Sequence, residues 1–86
     1  MIIWKYELAI TDIQQLEIPH KGTILSVANQ NGKLCLWALV NPNLVSYIRT
    51  IEIIGTGNPI DKNPVERKFI GTAVINPFVW HVFERT

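Results

Sequence analysis

Eighty-six residues, 48% of them hydrophobic and only 17% charged, describe one small domain with more apolar surface than it can hide. A chain of this size buries little more than about 60% of its unfolded surface, so the surplus points to an interface. Eight basic and seven acidic residues, scattered without runs, exclude the clustered basic footprint of a duplex-DNA binder. The single Cys35 excludes an internal disulfide and a Cys-rich zinc site, and a reducing cytoplasm suits it.

The opening Ile2 to Leu8 alternates as a strand, with Ile2, Trp4 and Tyr6 on one face. Its apolar stretch is too short for a signal peptide or a membrane span, and charge arrives at Lys5. Asp12 to Ile18 is a second short strand whose imperfect pattern suggests a bulge. Pro19-His20-Lys21-Gly22 turns the chain into a central hairpin, Gly22 to Val40. There Asn31-Gly32 supplies the two positive-φ positions of a type I′ turn. The turn predicts Gln30 opposite Lys33, Ala28 opposite Cys35, Ser26 opposite Trp37 and Ile24 opposite Leu39. Both hairpin faces are apolar and need covering.

Asn41-Pro42-Asn43 is another turn, with room for a single helical turn towards Val45. Val45 to Ile54 is the longest strand, placing Tyr47, Arg49, Ile51 and Ile53 on one side and Ile48, Thr50, Glu52 and Ile54 on the other. Gly55-Thr56-Gly57-Asn58-Pro59 breaks it, and a polar loop is expected from Asn58 to Glu66. Phe69 to Ile75 and Phe78 to Phe83 are two further strands about an Asn76-Pro77 turn. No apolar pattern has helical period. The expected fold is therefore all-β: a small single-domain sandwich or partly open barrel of six to seven antiparallel strands.

Catalysis has little to build on. His20 and His81 lack a partner spacing for a metal or acid–base site, and the serines carry no nucleophile motif. His81, in an alternating apolar strand, reads as a structural histidine. No catalytic residue, metal or cofactor is expected. For binding, the Gly55-Thr56-Gly57-Asn58 turn offers backbone N–H groups to an anion. Among Trp4, Trp37 and Trp80, the latter two are the stronger candidates for stacking on a base. Arg49, in an apolar strand face, and Lys68 are the candidate cations for a phosphate.

Several words recur together along the chain: Ile3-Trp4-Lys5-Tyr6, Trp37-Ala38-Leu39-Val40, Gly55-Thr56-Gly57-Asn58-Pro59-Ile60 and Trp80-His81-Val82-Phe83-Glu84. As a set they resemble a widespread family of very small phage-encoded proteins, over nearly the whole length. The chain is similar, in particular, to phage anti-CBASS sponges, which assemble as tetramers and sequester cyclic nucleotide immune signals without cleaving them. Asn58 stands where the family has His, and Asn41-Pro42 where it has Asp-Pro, which puts a base-reading role for position 58 in doubt. The resemblance implies a homo-oligomer in the host bacterial cytoplasm. A cyclic dinucleotide would sit at a subunit interface, held by Trp37, Arg49, Thr56, Gly57, Asn58, Lys68 and Trp80. The alternatives are a protein-interaction module that inhibits a host protein through an exposed sheet face, a single-stranded nucleic-acid binder, and a phosphodiesterase whose residues are not found.

Overall fold

The computed structural model describes residues 1–60 and 66–86. Seven strands run in chain order: β1 (Ile2–Glu7), β2 (Ile13–Pro19), β3 (Thr23–Gln30), β4 (Lys33–Val40), β5 (Ser46–Gly55), β6 (Arg67–Ile75) and β7 (Phe78–Arg85). All pairings are antiparallel, and they build two sheets, β1-β4-β3 and β2-β5-β7-β6. All seven strands lie within two residues of their expected bounds at both ends; the largest differences are at β6, which starts at Arg67 rather than Phe69, and β7, which ends at Arg85 rather than Phe83. At Asn41 the chain makes a turn, Leu44 N–H to Asn41 C=O. Part of the polar loop expected from Asn58 to Glu66 lies outside the described residues.

β4 shows why the sequence folds this way. Leu34, Leu36, Ala38 and Val40 all point inward and are buried, on a strand with neighbours on both sides. Ile51 and Ile53 of β5 and Val82 of β7 meet them from the other sheet, with Leu8, Ile18, Val27 and Ala73 completing one core. Burying a side chain of the Leu, Ile or Val class contributes about 1.5–3 kcal/mol.

The sheets come together along β3 and β6, which run side by side. Asn29 Nδ2 bridges them by donating to the Val74 carbonyl at 3.1 Å. At this seam a Cβ on Gly71 would lie 3.1 Å from Val27 Cγ2, so the missing side chain is what lets the strands approach. β1 and β2 are left as the outer edges, and the barrel is not closed.

The Asn31-Gly32 turn has the positive φ values the sequence demanded, 53° and 80°. Pairing follows expectation from Gln30–Lys33 to Ser26–Trp37. Beyond that the expected Ile24–Leu39 pair is wrong: a bulge at Leu25 sets Ile24 opposite Ala38 and Thr23 opposite Leu39. The extra residue turns Ile24 inward, against the core, and leaves Leu25 exposed. The irregularity expected in β2 is absent there, and the second bulge falls in β6, between Phe69 and Gly71.

Gly22, at the β2–β3 turn, has no room for a side chain: a Cβ would lie 2.7 Å from Ile18 Cγ2 and 3.0 Å from the Pro19 carbonyl oxygen. Gly22→Ala is expected to destabilise the fold by about 1–3 kcal/mol. Thermal denaturation should show this as a melting temperature lower by roughly 5–20 °C.

Candidate functional site

The seven candidate binding residues fall into three places. Arg49 and Lys68 line one cleft of about 350 Å³, together with Gly22, Thr23, Ile24, Leu25, Phe69, Ile70 and Glu84. Thr56, Gly57 and Asn58 lie at the far end of β5, seven or more residues of extended chain from Arg49, or about 23 Å. Trp80 stands near that end, opposite Gly55, and lines a separate apolar cleft with Phe78, Ile75, Leu34, Leu8 and Ile10. Trp37 is on the outer face of β4, between Lys5 and Ser26, away from both clefts.

Arg49 is built into the fold. Its guanidinium grips the Glu84 carboxylate through two nitrogens, with Nη2 donating to Oε1 at 2.9 Å. Nη1 donates to the Gly22 carbonyl at 2.8 Å. These hydrogen bonds from Arg49 to Glu84 outweigh burial and hold the guanidinium pKa above its ordinary value. Lys68, directly opposite Glu84 on β7, has no hydrogen-bond or ion-pair partner among the described residues. Two cations and one carboxylate leave the cleft with a net positive charge, and Lys68 is the group free to spend it on a ligand.

The glycine turn is more committed than its sequence suggests. Thr56 N–H donates to the Val79 carbonyl at 3.1 Å, and Asn58 N–H to the Gly55 carbonyl at 3.0 Å. The Thr56 hydroxyl is 2.7 Å from His81 Nε2, and the Thr72 hydroxyl is 3.0 Å from Nδ1. A hydroxyl can either donate or accept, so both imidazole nitrogens have a partner. His81 thus ties β5 to β6 across β7. Gly57 takes φ +89°, a turn conformation that suits glycine.

Two groups stand out that sequence reasoning passed over. Glu52 is 5% exposed on the outer face of β5, and Arg67 and Arg85 converge on its carboxylate, Arg85 Nη2 at 2.6 Å. Burial pushes the Glu52 pKa up, but the hydrogen bonds and charge of the two arginines win and hold it below the usual carboxylate range. Tyr6 is the other: its hydroxyl is buried with no hydrogen-bond partner. Burial raises its pKa, against the pull of nearby Arg49. A carboxylate in the middle of an Ile-Glu-Ile-Ile strand was the available signal for Glu52, since such a charge needs cationic partners across the sheet. Nothing in the sequence marks Tyr6.

Among the described residues no three His, Cys, Asp or Glu side chains gather where they could hold a metal ion. No helix in the described residues is long and apolar enough to cross a membrane.

A family model described as a domain of unknown function, DUF7352, matches residues 1–86. The chain belongs to that family. No curated protein and no solved structure matches it.

Arg49→Ala should destabilise the fold by about 3–5 kcal/mol, because it strands Glu84 at a part-buried site. Replacing both by Met and Leu should recover much of that in chemical denaturation. The Glu52 ion pairs add stability above the ordinary carboxylate pKa, about 4.5. That stability is lost as pH falls through the lower folded pKa. Glu52→Gln should therefore lower stability at neutral pH and flatten the acid limb of a stability–pH curve.

Proposed function

We propose that this chain is a phage-encoded, non-catalytic binding protein that sequesters a cyclic dinucleotide defence signal in the host cytoplasm. The observation that carries this reading is the cleft at Lys68. It joins an unpartnered ammonium to the exposed Phe69 and Leu25 and to the backbone at Thr23. A phosphate takes charge and hydrogen bonds from Lys68, and the apolar lining of Ile24, Leu25 and Ile70 packs against a base. Arg49 acts one step removed, holding Glu84 and the start of β3 in place. Glu84, the carboxylate in the cleft, is occupied by Arg49 and so is not free to take a proton from water. That combination favours holding a ligand over cleaving it.

At about 350 Å³ the cleft is near the lower end of ordinary ligand sites, about 300–1,000 Å³. It takes one half of a cyclic dinucleotide, and a second copy of the chain closes over the other half. The supply of exposed apolar side chains for such an assembly is ample: Ile13, Ile48, Phe69 and Val74 all lie on the outer face of the β2-β5-β7-β6 sheet. The same surface supports the second reading, a module that binds and inhibits a host protein.

The test is a thermal-shift screen of the purified protein against cyclic dinucleotides, with the ligand recovered and analysed by chromatography. A ligand at a hundred times its Kd should raise the melting temperature by roughly 10–20 °C. Lys68→Ala should weaken binding about tenfold or more, whereas Thr56→Ala should leave it unchanged. Recovery of a hydrolysed ligand would make the protein an enzyme. No shift with any cyclic dinucleotide would favour the host-protein reading, to be settled by whether one stoichiometric partner is captured.

A further inference from the structure

β1 is an edge strand whose guard against pairing is limited to the charges of Lys5 and Glu7. It has no proline and no bulge, and Ile2, Ile3 and Trp4 are all exposed. Its hydrogen-bonding direction can be read from one contact. Leu8 N–H donates to the Leu34 carbonyl, so the even-numbered residues of this strand turn their backbone towards β4. Alternation then turns the N–H and C=O groups of Ile3, Lys5 and Glu7 outward, along the free edge.

We propose that this edge pairs with the same edge of a second copy, antiparallel about a two-fold axis at Tyr6, merging two three-stranded sheets into one of six strands. Symmetry limits the choice of register. With the two-fold axis perpendicular to the merged sheet, the inward faces of both copies stay on the same side, so odd residues pair with odd and even with even. An axis at Lys5 sets Lys5 against Lys5 of the second copy, which is repulsive. An axis at Trp4 sets Lys5 against Ile3 and leaves its charge unanswered. An axis at Tyr6 sets Lys5 against Glu7 of the second copy, twice by symmetry, and both pairs sit at positions where the backbone groups exchange hydrogen bonds.

Two further features fit that register. Tyr6 faces its own counterpart across the axis at the close-approach type of pair, an aromatic pair of the kind that stabilises neighbouring strands. Trp4 faces Leu8 of the second copy, so the exposed indole gains an apolar neighbour. Within one copy Lys5 and Glu7 have only weak exposed attachments, to Gln30 at 2.8 Å and to Lys33 at 3.8 Å, and both are free to re-aim. The inference stands apart from the nucleotide reading, because none of these residues lines the Lys68 cleft.

Charge reversal tests the pairing. Sedimentation analysis of the ligand-free protein at micromolar concentration should show a two-fold assembly. Lys5→Glu alone and Glu7→Lys alone each replace two attractive pairs by two repulsive ones, and each should weaken self-association about tenfold. The double variant Lys5→Glu/Glu7→Lys should restore it. Lys5→Pro, which removes an outward N–H that serves no intramolecular ladder bond, should give a monomer with its melting cooperativity intact. A monomeric wild-type protein would overturn the proposal. So would single variants that associate as well as wild type, or a double variant that is no better than the singles.

Discussion

The contact on which the architecture most depends is the one Arg49 makes. One guanidinium on β5 holds a carboxylate on β7 and a carbonyl at the start of β3, so it ties the four-stranded sheet together and clamps it to the three-stranded one. A charged pair inside an apolar sandwich is expensive to desolvate, and the geometry repays this only while both partners are present. The clamp also sets the electrostatics of the adjoining cleft. With Glu84 neutralised by Arg49, the charge of Lys68 is left uncancelled. The buried Glu52 repeats the device on the opposite face of β5, with two arginines around one acid. This small domain is thus held by ionic links near both faces of its longest strand as well as by its core.

Most of the fold was legible because strand faces alternate strictly and the turns announce themselves. Asn31-Gly32 located the central hairpin, and Gly55 to Pro59 ended the longest strand where expected. The bulges were not legible, because nothing about Leu25 or Ile70 as residue types distinguishes them from their neighbours. Only the seam between β3 and β6 shows why the chain bends there. One unregistered residue was enough to carry Ile24 from one face to the other.

The candidate site was legible only in fragments. Arg49 was singled out correctly as anomalous, but a sequence cannot say whether a cation in a strand is aimed at a ligand or at a carboxylate brought in from thirty-five positions away. Thr56 and its neighbours offered amides and a hydroxyl, and tertiary structure spends several of them on Val79, Gly55 and His81. Lys68 stood out only as a candidate cation, and its importance comes from what lies opposite it. Trp37 and Trp80 were set above Trp4 as stacking candidates, and the sheets place the three apart: Trp4 on an edge, Trp37 on an outer face and Trp80 on a cleft wall.

The pairing pattern also has a kinetic side. Among the described residues, the neighbouring strands joined by tight hairpins are β3–β4 and β6–β7. β1 must wait for β4, β2 must wait for β5, and β5 pairs with β7 across the intervening β6. Contacts of such large sequence separation make folding slow. As the chain leaves the ribosome, Ile2-Ile3-Trp4 emerges long before its partner strand has been synthesised. During that interval an apolar strand has both edges unsatisfied, so the nascent chain is most exposed to misassociation at β1.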